Sequence, residues 1–399
     1  SRMKKTGKIL ALVLSLALVF ALAACGAPAA KPTTAPTTAP TKAPEVAATA
    51  KPVEDAKKED LGTIALVTDV GTIDDESFNQ GTWEGIKAYA DKNGIECNYY
   101  QPTADTTDAR MTSIDQAVKE GAGVIVVPGF LFGEAMLTAP DQYPDVKFIA
   151  SDVNPATDMG GATPAKNLYC LCFAEEQCGF LAGYAAVKDG YKDVGFLGGM
   201  AVPAVVRFGQ GYVQGISAAA EELGVDVNVK YMYGGQFFGD ANITAKMEGW
   251  YQNGTELVFA CGGGIWTSPA EAAVKNKGMI IGVDTDQHHL GENKETYAYN
   301  PFITSAVKAL SASTEYALDL AYSGKFDTIG GTFDILGLQQ GDFVGLATAD
   351  TSWGFKNYTV ADNDKVIADI KSGKIEIDNN CDAAIHVKTG AHTTVTYIE

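Results

Sequence analysis

Four aromatic residues and two carboxylates stand where an α/β chain keeps its chemistry: Phe78, Phe130, Phe208 and Trp266, with Asp69 and Asp284. Each lies just beyond a short apolar, β-branched run. Glycines that leave the backbone open accompany them, at Gly71, Gly129, Gly198-Gly199 and Gly262-Gly263-Gly264. Aromatic faces sandwich flat or sugar-like apolar surfaces. Ionised carboxylates only accept hydrogen bonds, so they seek hydroxyl or N–H donors. The combination predicts a neutral, polyhydroxylated ligand with a flat part, and it disfavours a phosphorylated one. Ser77 and Gln80 have capping-box spacing, which puts Phe78 at the first helical position, facing the space beyond the sheet.

Other chemistries lack their residues. The run Gly209-Gln210-Gly211-Tyr212-Val213-Gln214-Gly215 has the wrong spacing for a dinucleotide loop and sits inside a helical pattern with Tyr212, Ile216 and Ala219. No Gly-x-x-x-x-Gly-Lys-Ser/Thr occurs, nor Gly-x-Ser-x-Gly, nor His-Glu-x-x-His. The four histidines, His288, His289, His386 and His392, have no zinc spacing. Asp74-Asp75-Glu76 resembles a calcium loop, but the helix dipole favours acids at a helix start, so these read as a solvated face. The expectation is a binding protein with no catalytic residues, no metal and no cofactor.

The elements that must position these residues recur about every 22–32 residues: Ile64–Val67, Ile95–Tyr100, Val124–Val127, Lys147–Ala150, Leu168–Phe173, Val194–Leu197, Val227–Tyr231, Leu257–Ala260 and Met279–Val283. Helical patterns lie between most of them, as in Trp83, Ile86 and Ala90, in Met111, Ile114 and Val118, and in Phe180, Tyr184 and Val187. Strand–helix alternation predicts parallel sheets covered on both faces. Nine strands exceed one comfortable sheet, so two α/β lobes are expected. Ligands of open parallel sheets sit beyond the carboxyl ends of the strands, where the aromatic and acidic residues fall.

These residues resemble the basic membrane protein (PnrA-like) family of bacterial lipoproteins. The most specific match is Thr68-Asp69-x-Gly71-x-Ile73-x-Asp75-x-Ser77-Phe78-Asn79-Gln80. Similar too are Val127-Pro128-Gly129-Phe130, Phe173-Ala174-Glu175-Glu176 with Gly179-Phe180-Leu181-Ala182-Gly183, and Gly198-Gly199-Met200 followed by Pro203 and Phe208. Gly282-Val283-Asp284-Thr285-Asp286-Gln287 and Thr304-Ser305-x-x-Lys308 complete the set, which covers about Gly62 to Leu346. The resemblance implies a type I periplasmic-binding-protein fold with two Rossmann-like lobes, parallel sheets and three crossovers, feeding an ABC permease and ATPase. It implies that Phe78 and Phe208 stack on a purine. Asp284 and Lys308 would hold the ribose with Asp69 beside them, Asp108 would bind the base edge, and Asn79 and Gly129 would be wall contacts. Trp266 departs from the small residues of the family and, turned inward, would narrow the pocket. A simple sugar or polyol is the rival ligand; a nucleoside-hydrolysing enzyme and a surface sensor are rival classes. The lobes are expected over 61–172 with 301–326, and over 173–300 with 327–399, in a monomer.

The start of the chain reads as an address. Lys4, Lys5 and Lys8 precede the apolar stretch Ile9 to Ala24, which fits a secretory signal. Leu22-Ala23-Ala24-Cys25 resembles a lipobox, so Cys25 is the expected lipidation site, anchoring the protein on the outer face of the cell membrane. Residues 25–60, with Pro28, Pro32, Pro36, Pro40, Pro44 and Pro52, read as an extended tether. The chain of 399 residues carries 30 Lys+Arg and 49 Asp+Glu, a net charge of −19. Residues 1–24 hold four bases and no acid, which leaves the remainder at −23. That balance excludes a nucleic-acid binder, which needs clustered bases. Six cysteines remain beside Cys25, none in Cys-x-x-Cys, and they read as mostly free core thiols.

Overall fold

The computed structural model describes residues 58–399; the leader, Cys25 and nearly all of the tether lie outside the described residues. The strands are β1 (Thr63–Val67), β2 (Cys97–Tyr100), β3 (Ala122–Pro128), β4 (Lys147–Ser151), β5 (Leu168–Phe173), β6 (Asp193–Gly198) and β7 (Val227–Tyr233). They continue as β8 (Leu257–Cys261), β9 (Met279–Asp284), β10 (Phe302–Lys308), β11 (Phe333–Leu336), β12 (Val344–Leu346) and β13 (Thr393–Ile398). They build two sheets, ordered β11-β5-β4-β3-β1-β2 and β12-β10-β9-β8-β6-β7-β13. Every pairing is parallel except β10 with β12. Central strands such as Ile64–Val67 and Leu257–Cys261 are buried throughout, as parallel strands covered on both faces must be. Among the described residues no helix is long and apolar enough to cross a membrane.

The chain passes between the sheets three times. It leaves the first sheet after β5, returns after β10 and leaves again after β11. Two expected lobe boundaries are therefore corrected. A break before residue 301 assigns β10 to the first lobe, but β10 pairs with β9 in the second sheet, with Ser305 opposite Gly282. The return comes after Lys308, where the helix Leu310–Tyr322 packs on the helix Phe78–Asn93 and Ser311 Oγ donates to Gly81 O at 2.9 Å. Likewise β11, expected in the second lobe, pairs with β5 in the first.

The helices Glu175–Asp189 and Pro203–Leu223 lie closely together on the second lobe. Glycines permit the approach: a Cβ on Gly179 would stand 2.2 Å from Phe208 O, and one on Gly211 2.2 Å from Glu176 O. This contact fixes Glu175 against Arg207 and sets Phe208 beside the strand ends.

Candidate ligand cleft

The carboxyl ends of β1, β3, β4, β6, β8, β9 and β10 converge on one cleft, with an empty volume of about 860 Å³ counted to its solvent mouth.

On the first lobe, Asp75 organises the start of the helix Phe78–Asn93. Its Oδ1 accepts from Ser77 N at 2.9 Å and Gln80 N at 3.1 Å, and its Oδ2 from Asn79 N at 3.1 Å. The expected Ser77–Gln80 capping box is not formed, because a carboxylate outcompetes a hydroxyl for these N–H groups. Gln80 Oε1 instead accepts from Glu76 N at 2.9 Å. The Ser77 hydroxyl is thereby released to donate to Asp284 Oδ2 across the lobes at 2.5 Å. Phe78 does open the helix. Nor is the acidic run wholly a solvated face, since Asp75 is half-buried and lines the cleft; among the described residues no group of side chains is arranged for a metal ion.

Asn79 Nδ2 donates to Asp69 Oδ1 at 2.8 Å and to Asp75 Oδ2 at 3.0 Å. Gly71 N also donates to Asp69 Oδ1, at 2.7 Å. Burial pushes the Asp69 carboxyl up, against those two hydrogen bonds. Gly129 has φ +114°, and a Cβ there would stand 3.0 Å from Asp69 Oδ2. Only glycine suits both the conformation and the space.

Lys308, at the end of β10, is 6 % exposed. Its Nζ lies 2.7 Å from Asp152 Oδ2, 3.0 Å from Glu175 Oε1 and 3.9 Å from Asp284 Oδ1. Three rings surround the same ammonium, with centroids at 4.7 Å (Phe78), 5.2 Å (Phe173) and 5.6 Å (Phe208). Phe78 and Phe208, from opposite lobes, thus face one small region. Burial would discharge the lysine, but the three carboxylates outweigh it and hold its pKa above the ordinary value. Burial raises Asp152, and Lys308 opposes this; the net position is about 6. Asp284 is raised by burial against Lys308. Burial would raise Glu175 as well, but Arg207 and Lys308 together hold it below the ordinary value. Asp152 and Asp284 both stand at positive φ, 55° and 66°, a region Asp tolerates better than most residues. The sharp turn after each strand presents its carboxyl to the cleft.

The cleft therefore gathers Asp69, Phe78, Asn79, Gly129, Phe208, Asp284 and Lys308, seven of the nine expected positions. Two fall elsewhere. Asp108 is exposed in the first turn of the helix Thr107–Lys119, outside the lining. Trp266 packs its ring on Phe302, centroids 5.8 Å apart, against the apolar core of the second sheet, so it does not narrow the pocket. Asp152, Glu175 and Arg207 also line or support the cleft, although the sequence motifs assign none of them a role there. Asp152 could have been found, because Ser151-Asp152 ends an apolar strand as Val283-Asp284 does. The six described cysteines form no disulfide among themselves; four are buried, and Cys172 and Cys261 line the cleft.

Comparison with known proteins accords with this architecture. The Bmp family, described as ABC transporter substrate-binding protein PnrA-like, matches residues 63–381. The "ABC transporter nucleoside-binding protein BmpA" of Lactococcus lactis is 29% identical over 328 residues, 78% of this chain and 88% of that protein. A "CD4+ T-cell-stimulating antigen" of Listeria monocytogenes is 30% identical over 301 residues, 71% of this chain and 80% of its own. A solved ABC transporter solute-binding protein from Aeropyrum pernix superposes with a TM-score of 0.66 at 20% identity, covering 81% of this chain and 95% of that one. One from Conexibacter woesei gives 0.63 at 22% identity, covering 80% and 99%. Those likenesses establish the type I periplasmic-binding fold. With the matched region spanning both lobes and the whole cleft, the chain belongs to the PnrA-like family of ABC transporter substrate-binding proteins.

Proposed function

We propose that this protein is the lipid-anchored, extracytoplasmic receptor of an ABC importer and binds purine nucleosides such as inosine, guanosine and adenosine between its lobes. The observation that carries the reading is Phe78 and Phe208 facing one region from opposite lobes, beside carboxylates that want hydroxyl donors. The rings take the two faces of the base. Asp284 and Lys308 meet the ribose with Asp152 close by, and Asp69 and Asn79 complete the first-lobe wall. A ligand contacting both lobes favours the closed arrangement by its differential affinity for it, and the permease reads closure. Several acids around two cations leave the cleft negative, which suits an uncharged nucleoside better than its phosphate. The site binds without turnover. Cys25 carries the lipid, and the chain works as a monomer.

Calorimetric titration tests this. Inosine, guanosine or adenosine should bind and raise the melting temperature, while free bases, nucleoside monophosphates and hexoses bind far more weakly. A hexose or polyol as the best ligand would replace the nucleoside reading with the sugar reading. Release of free base during long incubation with inosine would make the protein an enzyme. Loss of lipid labelling on Cys25→Ala checks the anchor.

A further inference from the structure

Arg207 lines the cleft, is 8 % exposed and is committed to ligand by none of the matched motifs. A buried guanidinium is costly unless paired. Its Nε donates to Glu175 Oε2 at 2.7 Å. Glu175, fully buried, turns its other oxygen to Lys308, 3.0 Å away. One carboxylate thus holds two cations on one wall. Among the described residues, Nε is the only guanidinium nitrogen of Arg207 with a hydrogen-bond partner. Its two Nη atoms are not among the buried polar atoms sealed off without a partner. They therefore border open space, and the open space that Arg207 lines is the cleft.

A guanidinium has five N–H donors and no acceptor, so the free Nη groups require an acceptor. At the same end of the cleft Asp284 accepts from Ser77 through Oδ2, which leaves its Oδ1 to take a donor. A hydroxyl is a neutral group that serves both needs, accepting from an arginine while donating to a carboxylate. We propose that Arg207, held in place by Glu175, is a ligand-contacting, specificity-determining residue that donates an Nη–H to a sugar hydroxyl of the bound nucleoside. Glu175 is a positioning residue: it fixes the guanidinium and touches no ligand. The proposal rests on the nucleoside reading and names the sugar as the part this wall selects.

The test titrates wild type, Arg207→Met, Arg207→Lys and Glu175→Gln with inosine and with its 2′-, 3′- and 5′-deoxy analogues. Hydrogen bonds to charged groups predict that Arg207→Met weakens inosine about tenfold to a hundredfold. For the one deoxy analogue that lacks the contacted hydroxyl, wild type and Arg207→Met should bind equally. Glu175→Gln, which also loosens Lys308, should weaken inosine more than that same analogue, a pattern that general loosening of the fold does not produce. Lysine, a point charge on a different stem, should not restore the contact; should Arg207→Met fail to fold, Arg207→Lys is read in its place. Inosine affinity within about twofold of wild type, or equal losses for inosine and all three analogues, overturns the proposal alone. No nucleoside binding by wild type overturns the nucleoside reading, and this proposal with it.

Discussion

Replacing Glu176 by glutamine should make the protein more stable at neutral pH, and the gain should vanish in acid. Glu176 is 7 % exposed on the helix Glu175–Asp189, and its Oε2 has no hydrogen-bond partner. Burial, followed by the charge of Glu175, pushes its carboxyl from 4.5 up to about 7. Below about pH 4 the folded and unfolded chains both hold this proton, so the residue costs nothing. As pH rises, the unfolded chain releases it first, and stability falls until the folded carboxyl has titrated as well. At about 1.4 kcal/mol for each tenfold difference in proton affinity between the folded and unfolded chains, the full penalty is about 3 kcal/mol. Glutamine keeps the shape and never ionises. Urea unfolding of both proteins from about pH 4 to about pH 8 reads the difference. It should grow from near zero to about 3 kcal/mol in favour of Glu176→Gln. A glutamine variant less stable at high pH, or a difference that ignores pH, would refute the burial argument.

Three further outcomes are expected. Phe78→Ala and Phe208→Ala should each weaken nucleoside binding by about 1–3 kcal/mol, the value of one base–aromatic stack, read by calorimetry. Lys308→Met removes the ammonium that neighbours Asp152, Glu175 and Asp284; Arg207 still pairs Glu175, but stranding the other buried charges should cost about 3–5 kcal/mol of stability in chemical denaturation. Trp266→Ala should leave nucleoside affinity within about twofold while lowering the melting temperature, since its ring packs on Phe302 rather than in the cleft.

Strand ends were the most legible part of the sequence, because a β-branched run followed by Asp or Gly announces where a parallel strand stops. Asp69, Gly129 and Asp284 were found in that way. Side-chain direction was not legible. Asp108 and Trp266 sit at helix starts much as Phe78 does, but their orientation depends on which neighbour each side chain packs against. The sheet membership of β10 and β11 was hidden for a related reason. Whether each joins β9 or β5 is decided by segments that can lie far apart in the chain, and no local pattern encodes it. The Glu175–Arg207 pair was missed because its partners lie 32 residues apart on two helices whose close contact depends on glycines, which carry no chemistry of their own.

The interleaving of the two sheets also constrains how the chain can fold. Residues 63–173 supply five of the six strands of the first sheet, yet β5 has an unpaired edge until β11 arrives at Phe333–Leu336. By then β6 to β10 of the second sheet have all been made. During synthesis the first lobe must wait with a sticky edge exposed, a known hazard for aggregation. The strand that ends the wait is the partner of the same β5 that runs on into Glu175. The segment leading to the buried ion pair and the last strand of the first sheet are therefore secured together, and the ligand wall is complete only when the far part of the chain has come home.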